Sequence, residues 1–87
     1  MLRIVRSTGP DTTTLTVSGR IGSEQLAELR RYVDEERGRN VLLDLGEVGL
    51  ADAEAVRFLL HCEIEGVRLV RCPAYVRAWM AHEKVPP

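Results

Sequence analysis

The run from Val41 to Leu60, VLLDLGEVGLADAEAVRFLL, constrains the fold more than any other part of the chain. It opens on Val41-Leu42-Leu43, a strand whose unbroken apolar character requires burial on both faces or a central place in a sheet. After Asp44-Leu45 and a short loop the chain enters a helix through Asp52. A carboxylate there caps the first helical turn and complements the positive end of the helix dipole. Gly66 ends that helix, which spans about Ala53 to Glu65.

The flanking segments supply the remaining elements. Leu2 to Arg6 is a short strand, and Ser7-Thr8-Gly9-Pro10-Asp11 is a turn whose glycine, proline and aspartate each favour reversal. Thr13 to Arg20 alternates Leu15 and Val17 with Thr14, Thr16 and Ser18, which puts apolar groups on one face and hydroxyls on the other. Ser23 as N-cap, Glu24 in the first turn, and Leu26, Leu29 and Val33 at helical spacing predict an amphipathic helix from Ser23 to about Arg37, closed by Gly38. Val67 to Arg71 makes a last strand. Pro73 suits the first position of a final helix running to about Glu83, before Pro86-Pro87. The order is ββαβαβα. Helices between successive strands require parallel pairs with right-handed crossovers, and the opening hairpin is antiparallel. The expected fold is α/β, a four-stranded mixed sheet packed with three helices, in one domain spanning residues 1–87.

At 87 residues the chain buries only somewhat more than about 60% of the surface its unfolded form exposes, which leaves little room for a large enzyme cleft. A net charge of −1 gives no general attraction to nucleic acid or anionic lipid, so recognition has to be local. The basic cluster Arg30, Arg31, Arg37 and Arg39 is interrupted by Asp34, Glu35 and Glu36, the mixed signs of a solvated helix face. Aromatic residues at 5% offer little stacking surface. No apolar run approaches the roughly 20 residues a membrane-spanning helix needs. The N-terminus lacks the apolar core of a signal peptide, and Cys62 and Cys72 do not make a disulfide framework, so the expected location is cytoplasmic.

The order of these segments resembles the STAS domain, the module of sulfate transporters and bacterial anti-sigma factor antagonists. The resemblance rests on the strand, loop and helix around Asp52, on Leu15 to Arg20 with Ile21, and on Gly66-Val67-Arg68-Leu69-Val70. It implies a STAS-like (SpoIIAA-like) fold, shortened, since such domains usually add a strand and a helix beyond the position of His82. In that family the loop reads Asp-Ser-Ser/Thr-Gly, and phosphorylation of a hydroxyl after the Asp switches the antagonist. Here it reads Asp52-Ala53-Glu54-Ala55, with no hydroxyl to modify. Glu54 falls where the phosphorylated residue usually sits. Its carboxylate carries about one charge against roughly 1.5 to 2 for a phosphate, a partial mimic. The resemblance implies a non-enzymatic interaction module of bacterial signalling, contacting a kinase-like anti-sigma factor through Asp52, Ala53, Glu54 and Arg57. Its alternatives are an accessory subunit of a lipid-transport ATPase and a domain binding a nucleotide or lipid.

Other chemistry has a plainer reading. His61, Cys62, Cys72 and His82 match a zinc inventory but lack any paired ligand spacing, and His61 and Cys62 project about 100° apart on a helix. Cys62 falls on the apolar stripe of Ala55 and Leu59 and reads as a small buried hydrophobe; His61 falls on the polar side. No nucleophile has an adjacent base or an oxyanion hole, so neither catalysis, a cofactor nor a metal is expected. Glu63, on the apolar arc of its helix, either snorkels or marks a contact. Tyr75, Val76, Trp79 and Met80 form an aromatic and apolar face. Tyr75, Trp79 and Met80 are its candidate docking residues, for a partner or a homodimer.

Overall fold

The computed structural model describes residues 2–36 and 38–84. Its elements are β1 (Leu2–Thr8), β2 (Thr12–Ile21), a 3-10 turn over Ser23–Gln25, α1 (Leu26–Glu35), β3 (Asn40–Ala51), α2 (Ala53–Ile64), β4 (Arg68–Val70) and α3 (Ala74–Lys84). One four-stranded sheet runs β1-β2-β3-β4 in space. β1 pairs antiparallel with β2, and β2 with β3 and β3 with β4 are parallel. The expected mixed-sheet α/β architecture with three helices is therefore present.

Alternation along β2 separates the layers. Thr13, Leu15, Val17 and Ile21 are buried, whereas Thr12, Thr14, Thr16 and Ser18 are only half-buried. The buried row joins Leu43, Leu45 and Leu69 of the neighbouring strands, Leu29 of α1, Phe58 and Leu59 of α2, and Val76 and Met80 of α3. Each large side chain removed from water contributes about 1.5 to 3 kcal/mol, so this single apolar layer holds the helices to the sheet. α3 packs against α2, and the opposite sheet face is left open.

Three local expectations are corrected. The predicted loop after Leu45 is strand: β3 continues to Ala51. Two register shifts, between Thr16 and Ser18 and between Gly19 and Arg20, each give β3 one residue more than β2. Such bulges re-aim side chains, and Gly46 and Gly49 are the residues that tolerate them. Ser23 is not the N-cap of the first helix; Gly22 precedes a 3-10 turn, and the Gln25 carboxamide accepts the Gly22 N–H at 2.9 Å. Pro73 sits one place before α3 and caps it through its carbonyl, which accepts the Arg77 N–H at 3.0 Å. Gly38 and Gly66 turn the chain after α1 and α2 at φ of 95° and 101°, a backbone that costs other residues more. Arg37 and Pro86-Pro87 lie outside the described residues.

The mixed-sign cluster at the end of α1 is also more than a solvated face. Glu36 is 8% exposed. Its carboxylate accepts the Thr13 hydroxyl at 2.6 Å and lies 3.5 Å from Arg6 and 3.7 Å from Arg39. Arg39 donates in turn to Thr13 and to the Gly9 carbonyl. A buried carboxylate requires such partners, and together they tie the β1–β2 hairpin to the connection between α1 and β3.

Candidate functional site

The site indicated by the sequence lies where β2 and β3 end and two helical segments begin. Asp52 occupies the N-cap of α2 in extended conformation, and its Oδ1 accepts the Ala55 N–H at 2.9 Å. Its Oδ2 accepts the Ser23 N–H at 2.9 Å, at the start of the 3-10 turn. One carboxylate thus satisfies orphan donors at two helical starts 29 residues apart in sequence. The Asp52 N–H also donates to the Ile21 carbonyl. Asp52 is therefore a bracket of the fold, with both oxygens committed.

Glu54 is different. It stands exposed in the first turn of α2, where the helix dipole favours its charge. Glu24 and Glu28 occupy the corresponding first turns of the 3-10 segment and α1. A shallow depression of about 390 Å³ is lined by Arg20, Glu24, Leu50 and Asp52. Leu50 is 54% exposed. The sequence reading missed Leu50, because the second bulge pairs it with Arg20 and turns it away from the core. Its only advance signal is the glycine before it in an otherwise apolar run.

The remaining candidates divide. Ala53 is half-buried and Arg57 exposed, but the Arg57 guanidinium reaches across to Glu83 of α3 at 3.2 Å and is not a free docking group. Met80, read as docking residue, is 1% exposed and belongs to the core. Helical spacing puts it on the same inward face as Val76. Trp79 is partly buried against that core. Tyr75 remains 43% exposed, its hydroxyl donating to the Gly49 carbonyl at 3.3 Å. Glu63 accepts Arg77 of α3 at 2.8 Å, so its place on the apolar arc marks an interhelical contact.

A second hollow, an open groove of about 470 Å³ between α1 and α2, includes Arg30, Phe58, His61, Cys62 and Val67. Arg30 lies over the Phe58 ring, 5.5 Å from its centroid, within the roughly 6 Å of a cation–π contact. Cys62 is buried, and loss of hydration pushes its thiol up to about 12. Burial also raises Cys72, which is half-buried. A protonated thiol is a poor nucleophile. Iodoacetamide at pH 8 is accordingly expected to modify Cys72 first and Cys62 only on unfolding; equal rates read by mass spectrometry would contradict this placement. Among the described residues no three His, Cys, Asp or Glu side chains converge on a common point, and no helix is long and apolar enough to cross a membrane.

Asp44 and Arg71 form the other organised polar pair. The Arg71 guanidinium donates to both Asp44 oxygens, at 2.9 and 2.8 Å, and Asp44 also accepts the Gly46 N–H. These bonds, that from Arg71 first, hold the Asp44 carboxyl below its ordinary range. Arg71 has a φ of 53°, an uncommon conformation for a residue with a side chain. Its guanidinium lies so close over Gly46 that a Cβ there would fall 2.7 Å from Arg71 Cζ.

No family model matches the sequence, and no curated protein matches it. The fold does have solved counterparts. The crystal structure of an anti-sigma factor antagonist, a STAS domain from Rhodobacter sphaeroides, superposes with a TM-score of 0.66 at 15% identity, over 80% of this chain and 86% of that one. An uncharacterised DUF3478-family protein with a SpoIIAA-like fold from Shewanella loihica gives 0.53 at 14% identity, over 74% of this chain and 57% of that one. At such identities the likeness is one of fold, and it places this chain in the STAS-like, SpoIIAA-like architecture.

Proposed function

We propose that this STAS-like domain is a non-enzymatic protein-interaction module of bacterial signalling, acting in the cytoplasm in the manner of an anti-sigma factor antagonist. The observation that carries the reading is the division of labour at the start of α2. Asp52 is consumed by two capping bonds and shares a depression with the exposed Leu50, while Glu54, in the first turn of the helix, stands exposed. An apolar side chain with polar groups around its rim is the usual anatomy of a docking surface. Its partner is a kinase-like anti-sigma factor, which meets at Glu54 a permanent carboxylate. With Ala53 and Glu54 in the loop, the usual phosphorylation switch has no hydroxyl there to act on.

The competing reading makes the chain an accessory subunit of a lipid-transport ATPase. It draws on the exposed Tyr75 and the partly buried Trp79 of α3. Affinity capture from the source cell, comparing wild type with Glu54→Lys and Trp79→Ala, separates the two. Capture of an anti-sigma kinase that falls about tenfold or more in Glu54→Lys, the usual scale for reversing a charge at a complementary interface, supports the antagonist reading. Capture of a transporter ATPase lost in Trp79→Ala overturns it. Glu54→Ser, tested with the captured kinase and ATP, is expected to become phosphorylated where the wild type is not.

A further inference from the structure

The open face of the sheet lies apart from Glu54, and its side chains are ordered in rows. Register places Arg3, Ser18 and Glu47 in one row, Val5, Thr16, Asp44 and Val70 in the next, and Ser7, Thr14, Leu42 and Arg68 in the third. Arg20 and Leu50 extend the face toward the end of β3. Arg3, Arg20 and Arg68 are exposed, and none makes an ion pair among the described residues. The acids here are Asp44, gripped by both Arg71 donors, and Glu47, which also feels Arg71. Across the three rows, Arg3, Arg68 and Arg71 against Asp44 and Glu47 leave the face net positive in a chain whose total is −1, while Arg20 shares its depression with Glu24 and Asp52. Between the arginines lie Val5, 47% exposed, and the half-buried Leu42 and Val70.

We infer that this face is a docking platform for an acidic amphipathic helix of a partner protein, centred on its three rows and meeting the surface at the start of α2 only at Arg20 and Leu50. The dimensions suit a helix: four strands about 4.8 Å apart span about 15 Å, against a helix diameter of roughly 10 to 12 Å. The apolar centre receives the helix's apolar stripe, while the unpaired arginines meet its carboxylates. A second copy is a poorer occupant, because two such faces packed by two-fold symmetry bring arginines toward arginines. Nucleic acid fits less well, since the face offers no aromatic side chain for stacking. A membrane would call for larger projecting apolar groups than these.

The test uses the whole chain and a synthetic helical peptide with a leucine stripe flanked by glutamates, followed by amide NMR shifts and anisotropy titration. Comparison probes are the same peptide with lysines for glutamates, phosphatidylglycerol vesicles and a uridine oligonucleotide. The acidic peptide is expected to bind, with shifts centred on Thr14, Thr16, Ser18 and Leu42. Arg3→Glu and Arg68→Glu, both at exposed side chains without ion-pair partners, should each weaken binding about tenfold, and Glu54→Lys should leave it unchanged. Equal affinity for the lysine peptide, tighter binding of vesicles or oligonucleotide, shifts centred on α2, self-association through this face, or no binding at all would each overturn the inference.

Discussion

Replacing Asp52 with alanine should lower the melting temperature by about 10 °C or more, a large loss for one surface carboxylate. Loss of the cap on α2 costs about 1 kcal/mol. The bond accepted from Ser23, charge-assisted, adds about 1.5 kcal/mol, and each kcal/mol moves the midpoint of a domain this size by roughly 4 to 8 °C. Both bonds measure 2.9 Å, so neither is marginal. Asp52→Asn discriminates between them. Asparagine caps helices as well as aspartate does, but its amide nitrogen cannot accept the Ser23 N–H, so about half the loss should remain. Glu54→Ala, in the same first turn, should cost under about 1 kcal/mol, the scale of a dipole interaction at an exposed site. Calorimetry on the three variants checks the ranking. An Asp52→Ala midpoint within about 2 °C of wild type would show that the carboxylate does not hold the two helical starts together.

Much of this arrangement is legible in the chain, and the exceptions share a cause. Alternation in Thr13 to Arg20 identifies a strand with one wet face because period two survives in any register. Asp52 is readable as a cap because capping is local. Its second bond, to Ser23, joins residues far apart in sequence and has no local signature. The loop predicted after Leu45 fails for the same reason: tertiary pairing with β2 carries β3 through two bulges to Ala51, while Gly46 and Gly49 argue locally for a break. Glu36 looks solvated among alternating charges, and only the approach of Thr13 and Arg6 from the hairpin makes it a buried partner. The proposed surface divides likewise. Glu54 is visible from its position after the cap, whereas Leu50 becomes exposed through a register shift.

Met80→Ala should be the most damaging change in α3, costing about 2 to 5 kcal/mol through lost burial and the cavity left behind. For a small domain whose total stability falls in the range of about 5 to 15 kcal/mol, that removes a large fraction. The side chain is 1% exposed and belongs to the same buried cluster as Leu59 and Val76. Tyr75, 43% exposed and held by one long hydrogen bond at 3.3 Å, should lose under about 1 kcal/mol on the same truncation. Urea titration separates the two, with an unchanged slope in both if the unfolded surface stays constant. Equal losses would return Met80 to the surface and restore it as a docking residue. A large loss confined to Met80 leaves Tyr75 and the exposed part of Trp79 as the outer face of α3.

Glu54 is the proposed point of contact between the domain and its partner. A photo-crosslinking amino acid placed at position 54, and in separate chains at positions 14, 61 and 75, reads this directly in the source cell. The expected result is a crosslink from position 54 to a kinase-like regulatory protein, with positions 61 and 75 silent toward that protein. Crosslinks to such a partner from 61 or 75 with none from 54, or a transporter ATPase captured from 75, would contradict it.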